Sequence, residues 1–96
     1  IDFPNLEIYI SNILSDMKKD AIYFEDKGKG TIKINDYDFK WEQHIIQNKK
    51  SELVEQKAFF ISKGGDIYQI IYTTRANEIT KYKEELDEVL KSFKVL

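Results

Sequence analysis

The sequence has no cysteine, one proline and a single histidine among its 96 residues. Without cysteine, this stretch holds no disulfide, no thiolate zinc site and no cysteine nucleophile. The lone histidine, His44, has no nucleophile beside it, so it does not indicate a catalytic dyad. No apolar run approaches the roughly 20 residues that span a bilayer. The missing cysteine and the isolated histidine predict a protein that is not an enzyme.

Neither basic nor acidic residues predominate in the sequence. Fifteen basic and 17 acidic residues are interleaved, for a formal net charge of −2. Because no basic stripe is present to neutralise phosphates, nucleic acid is not an expected partner. Aromatic residues are plentiful, with six Tyr, six Phe and Trp41. The length and composition predict one domain over residues 1–96 with a single core.

The N-terminal part of the chain predicts a helix. The chain begins at Ile1 and not at Met, so we expect a processed form or a piece of a longer protein. Any signal peptide or lipid-attachment cysteine would then lie upstream. Pro4 and Asn5 resemble a helix start with Asn5 as the N-cap, and we expect the helix over 5–19. Its apolar stripe comprises Leu6, Tyr9, Ile10, Ile13, Leu14 and Met17.

Three short strands are predicted next. A β-prone run at 21–25 and an alternating run at 31–34 flank Gly28 and Gly30, which we interpret as a hairpin loop. A phosphate-binding loop would need a helix after the glycines, whereas an alternating run follows them. After a turn at Asn35-Asp36, the third strand runs from 37 to 45. One of its faces carries Tyr37, Phe39, Trp41 and Ile45, and the other carries Asp38, Lys40, Glu42 and His44.

The last two strands, at 52–62 and 67–74, flank Gly64-Gly65, which is a hairpin signal. Both strands are apolar on both faces, so the sheet needs cover on each side. Either the two helices lie on opposite faces, or both lie on one face and an upstream segment or a partner covers the other.

A second helix is predicted from Asn77, as its N-cap, towards the end of the chain. Leu86 and Leu90 are its expected core anchors. The fold class is therefore α+β, in the order α-β-β-β-β-β-α, with short turns that favour an antiparallel meander.

Two segments resemble the PsbP-like superfamily. The run from Gly64 to Thr74 is similar to its tyrosine-rich strand, and the tail at 82–95 is similar to its ending around a Ser-Phe pair. The superfamily includes a photosystem II subunit, bacterial DcrB-type lipoproteins and secretion effector chaperones. The resemblance implies a three-layer α/β/α domain. Members usually open with a β-hairpin, whereas only Ile1 to Phe3 precede the first predicted helix here.

The resemblance also implies a function. It suggests a non-enzymatic domain that binds another protein, either exported and held on the membrane by an upstream lipid anchor or acting as a cytosolic adaptor or secretion-type chaperone. The oligomeric state is left open.

Four residues form the candidate binding surface: Tyr37, Phe39, Trp41 and His44. Phe39 and Trp41 are either core residues or, if the family's opening hairpin is absent, part of an open aromatic face. His44 is expected to be solvated on the polar strand face. The carboxylates Glu25, Asp26, Asp36 and Asp38 lack calcium-loop spacing, so neither a metal nor another cofactor is predicted. The lysines at 27, 29, 33, 49 and 50 form either a solvated rim or a surface for a membrane or an acidic partner.

Overall fold

The computed structural model describes residues 6–49 and 52–93. A helix, α1 (Leu6–Asp20), precedes four strands, β1 (Ala21–Ile34), β2 (Tyr37–Asn48), β3 (Val54–Lys63) and β4 (Asp66–Arg75). A 3₁₀ turn (Ile79–Tyr82) leads into the second helix, α2 (Lys83–Ser92). The strands form one antiparallel sheet in the order β1-β2-β3-β4. The α+β class and the antiparallel meander are confirmed. The predicted N-cap Asn5 lies outside the described residues.

The prediction of five strands is wrong, because the first two are a single 14-residue strand, β1. Its pairing with β2 is irregular at two places, where Ile22 and Lys27 are each an extra residue in the ladder. Gly28 has a φ of 135°, and its N–H donates to Asp26 Oδ1 at 2.9 Å. A bulge of this kind kinks a strand without ending it. The glycines therefore serve a bulge and not a hairpin loop.

The two predicted tight turns are confirmed. Asn35 and Asp36 both have positive φ, at 52° and 66°, and connect β1 to β2. Gly64 and Gly65 connect β3 to β4 with φ of 60° and 85°. Two consecutive left-handed residues match the right-handed twist of the flanking strands, so both turns hold their hairpins in register.

The helices contact opposite faces of the sheet. Phe59 belongs to a buried cluster with Leu86 and Leu90 of α2, and this cluster also contains Phe39 and Ile61. The next residue, Phe60, meets Tyr9 of α1 edge to face, with ring centroids 6.3 Å apart. Successive strand residues point to opposite faces. Hence β3 is covered on both sides, as its two apolar faces predicted.

The second helix begins later than predicted. Asn77 has a left-handed φ of 66°, so it ends the turn after β4 and does not cap a helix. Its N–H donates to Glu55 Oε1 at 3.0 Å. No side chain caps the 3₁₀ turn or α2. The predicted anchors Leu86 and Leu90 are confirmed as buried.

One contact joins the first hairpin to the last helix. Asn35, in the turn between β1 and β2, donates its side-chain N–H to the backbone oxygen of Lys91. Lys91 lies in the last turn of α2, where carbonyls lack partners within the helix. The first hairpin and the last helix are therefore joined directly.

Candidate functional site

A chain of polar side chains is buried in the sheet face beneath α1. His44 Nδ1 lies 2.7 Å from Glu42 Oε2, and His44 Nε2 lies 2.8 Å from Gln56 Oε1. Gln56 Nε2 in turn donates to Thr73 Oγ1 at 3.3 Å. The chain therefore crosses β2, β3 and β4, and it satisfies the polar atoms that burial removes from water.

His44 is 1% exposed, so the expectation that it is solvated is wrong. The ring of Phe24 stacks on it, with centroids 5.0 Å apart. Burial lowers the pKa of His44, but the hydrogen bond and charge of Glu42, with Gln56 and Asp26, outweigh burial and raise the pKa above its ordinary value. Both ring nitrogens face acceptor oxygens, an arrangement that favours the doubly protonated, cationic ring.

A second buried carboxylate lies on the opposite face of the sheet. Glu55 is 2% exposed, and its Oε2 accepts a hydrogen bond from Gln43 Nε2 at 2.6 Å. Its Oε1 accepts the Asn77 N–H described above. Glu55 thus ties the turn before α2 to the middle of the sheet. This role is structural, because both carboxylate oxygens already have donors within the fold.

An open cleft of about 630 Å³ lies between α1 and the β1–β2 pair. Ile10 and Leu14 supply its apolar wall, and Glu42 lies in its lining. Three lysines from three different elements line it: Lys18, Lys29 and Lys40. Lys40 Nζ contacts Glu7 Oε1 at 2.7 Å, whereas Lys29 forms no salt bridge with any described residue. The cleft therefore combines an apolar wall with cationic groups.

A smaller cleft of about 370 Å³ lies on the other face, between α2 and strands β2 and β3, with Ile32 of β1 also in its lining. Trp41 contributes to the lining of both clefts. Its indole lies against Gly30, where an added Cβ would come within 2.9 Å of Nε1. Lys57 Nζ lies 4.7 Å from the Trp41 ring, within cation–π range. Gly30 therefore makes room for Trp41, a role that the sequence did not reveal.

The structure separates the four predicted surface residues. Phe39 is 1% exposed and belongs to the core, so it is not part of an open surface. Tyr37 packs edge to face on Phe93, with centroids 5.3 Å apart, and is half-buried. His44 is buried on the opposite face. Only Trp41, half-buried, lines a cleft in the described structure.

Sequence reasoning missed Glu42, Gln56 and Lys57 as members of these sites. The pairing of β2 with β3 brings Gln56 to His44 and Lys57 to Trp41, and residue spacing within one strand does not reveal such cross-strand neighbours. Glu42 lies two residues before His44 on the same strand, so alternation alone places these two side chains on one face. The sequence does contain a signal for the Trp41 contact, the Gly28-Lys29-Gly30 run, since glycine within a strand often marks the close approach of another group.

Residues 6–49 and 52–93 contain no cluster of metal ligands and no helix that could span a membrane. No group of three or more His, Cys, Asp or Glu side chains there is placed to hold a metal ion. In the same residues, no helix is both long and apolar enough to cross a membrane.

Comparison with known proteins gives a structural likeness. No known protein family matches the chain, and no curated protein matches it either. A crystal structure from Pseudomonas aeruginosa, of a protein of unknown function called PA94, matches with a TM-score of 0.78 at 12% identity. The match covers 96% of this chain and 63% of that one, so this chain spans less than two thirds of its neighbour. At this identity the likeness shows a shared fold.

Proposed function

We propose that this chain is a non-enzymatic PsbP-like binding domain of an exported or lipid-anchored bacterial protein, and that it binds another protein at the β1–β2 end of its sheet. The order of elements and the two helices on opposite faces support a three-layer domain of this type. A non-enzymatic role is supported by His44, whose two ring nitrogens are both engaged by neighbours inside the fold.

The observation that carries the proposal is that β1 is only partly covered by the rest of the protein. No residue of β1, all of which is described, is fully buried, although the strand pairs along its length with β2. One cleft lies beside α1 and the other beside α2, on opposite faces of the sheet; residues of β1 contribute to each, and Trp41 lines both. Exposed apolar surface next to charged groups is typical of sites that bind proteins.

The chemistry of the larger cleft favours an acidic segment of the partner. Lys29 forms no salt bridge with a described residue, and Lys18 lies over the Phe24 ring at 4.9 Å. The hydrogen bond from Lys40 lowers the pKa of Glu7, and the charge of Lys29 adds to that effect. Glu42, a carboxylate in the lining of this cleft, is already paired with His44. Carboxylates of a partner could therefore pair with the lysines that line the cleft, and its apolar side chains could pack on Ile10 and Leu14 of α1.

Site-specific photocrosslinking in the native cell tests this proposal. A photoreactive amino acid at Lys29, or at Lys83 in the smaller cleft, should capture the same partner protein. The matched control is Glu88, which is exposed on the outer side of α2 and should capture nothing specific. Equal capture at all three positions, or none at the two cleft positions, would contradict the proposal.

Fractionation of the same cells tests the location separately. We expect the protein in the membrane fraction with the added mass of a diacylglyceryl group on an upstream cysteine. A soluble, unmodified cytosolic form would instead support the adaptor alternative, whatever the crosslinking shows.

A further inference from the structure

The outer edge of β4 is open. Among residues 6–49 and 52–93, no strand pairs with β4 on the side away from β3. The ten-residue strand carries charge only at its ends, on Asp66 and Arg75, and it contains no proline and no break in register. Natural sheets usually protect an edge with charges, proline or a bulge, because free backbone groups recruit another strand.

The other edge of the sheet has this protection. β1 is interrupted by bulges at Ile22 and Lys27, and it carries five charged residues: Glu25, Asp26, Lys27, Lys29 and Lys33. Bulges and alternating charges twist an edge and disfavour pairing. The contrast indicates that the bare edge of β4 is a specific feature of this chain.

Apolar side chains lie exposed on both sides of that edge. Ile71, opposite Ala58 in the ladder, lies on the same face as α1 but is 48% exposed there. On the other face, the Tyr82 ring lies 6.3 Å from the Tyr72 ring of β4. Val89 follows Tyr82 by seven residues and so shares its flank of the helix; the two are 40% and 42% exposed.

We propose that β4 pairs antiparallel with β4 of a second copy of this chain, which joins two sheets into one of eight strands. A twofold axis through such a pair is perpendicular to the sheet, so α1 and its copy lie on the same side. Tyr82 of the 3₁₀ turn and Val89 of α2 then face the same residues of the second copy across the seam.

The residue pattern of β4 fits a second copy better than an unrelated strand. With Ile71 on the twofold axis, it faces its own copy, and Ile70 faces Tyr72. Gln69 then faces Thr73, so two uncharged polar residues meet on the same face. No like charges are opposed, since Arg75 faces Ile67. A strand that is complementary to itself in this way is suited to an isologous interface.

This interface is independent of the proposed binding function. The larger cleft is lined by β1 and β2 and the smaller one by β1, β2 and β3, and none of the residues of β4, all of them described, lines either cleft. Both clefts therefore remain open in the dimer, and loss of one property leaves the other intact.

Analytical ultracentrifugation over a concentration series tests the proposal. The wild-type chain should sediment as a dimer that dissociates on dilution. Ile71→Lys should raise its dissociation constant by about tenfold or more, because two ammonium groups would meet at the seam. Ile22→Lys is the matched control and should leave the dimer unchanged, because Ile22 is an exposed isoleucine on the other edge strand, at 57% against 48% for Ile71.

A second variant tests the register. The chain has no native cysteine, so Ile71→Cys would place one thiol of each copy on the axis, where mild oxidation should form an intermolecular disulfide. Ile22→Cys should form far less. A wild-type chain that stays monomeric at its highest soluble concentration would overturn the proposal. So would a dimer that only Ile22→Lys weakens.

Discussion

At the scale of single residues, His44 links folding to pH. Its pKa is raised in the folded protein, so the folded state binds this proton more tightly than the unfolded chain does. The resulting stability is fully present below the unfolded pKa of about 6.5 and is lost as pH rises through the higher folded pKa. We therefore expect the midpoint of urea unfolding to fall as pH increases from mildly acidic to alkaline.

Variants of the same pair separate this effect from general pH dependence. Glu42→Gln removes the charge that raises the pKa of His44, so the fall should move to lower pH. His44→Gln should remove this component altogether, although the variant will be less stable at every pH. An unfolding midpoint with the same pH profile in all three proteins would show that His44 does not titrate with folding.

Trp41 and Gly30 give a second prediction at this scale. An alanine Cβ at Gly30 would lie 2.9 Å from Trp41 Nε1, so the indole must move. Gly30 does not have the left-handed φ that would strain alanine by itself. Gly30→Ala should therefore destabilise the fold by about 1–3 kcal/mol through overpacking. Because Trp41 is the only tryptophan, its fluorescence should shift to longer wavelength as the ring moves into solvent.

A double-mutant cycle provides the control. In a Trp41→Leu background the indole is absent, so Gly30→Ala should lose most of its effect on the free energy of unfolding. If the substitution is equally damaging with and without the indole, the contact between these two residues is not the cause.

At the scale of elements, the two helices are anchored differently. α1 has no fully buried residue among its fifteen, whereas α2 buries both Leu86 and Leu90. Leu90→Ala should therefore cost about 2–5 kcal/mol, and Leu14→Ala, which truncates a half-buried residue of α1, clearly less. Urea unfolding of the two Leu→Ala variants provides a matched comparison. Equal losses would show that α1 is as firmly packed as α2.

The sequence predicted the elements well where side-chain spacing decides them. The first helix was expected at 5–19 and lies at 6–20, because its apolar residues recur every three or four positions. Both hairpin turns were also predicted, since Asn-Asp and Gly-Gly accept positive φ.

Two predictions of element boundaries, at Gly28 and Asn77, are wrong, because each residue type suits more than one backbone conformation. Gly28 was taken for part of a loop because glycine serves turns and bulges alike, and only the pairing with β2 distinguishes them. Asn77 was taken for a helix cap, but asparagine also tolerates the left-handed region that it occupies here.

At the scale of the whole molecule, strand alternation predicted two covered faces but not which helix covers which. That depends on the path of the chain, and the structure places α1 and α2 on opposite sides. For the same reason the candidate site was only partly predicted. The run Asp38, Lys40, Glu42, His44 has the pattern of a solvated face, yet neighbouring strands and α1 bury its last two members.

The arrangement of the whole molecule also separates its two proposed contacts. β1 contributes to the lining of both clefts, whereas the bare strand β4, all of which is described, forms the opposite edge of the sheet and lines neither. A protein partner and a second copy of the chain would therefore approach from opposite directions and would not compete.

The contact between Asn35 and Lys91 has a consequence for folding during synthesis. The turn of the first hairpin is made early, but the carbonyl that it binds belongs to one of the last described residues. Phe39 likewise packs with Leu86 and Leu90. While the chain is still on the ribosome, the β1–β2 hairpin therefore lacks these partners, and Phe39 stays exposed until α2 has been made and has emerged.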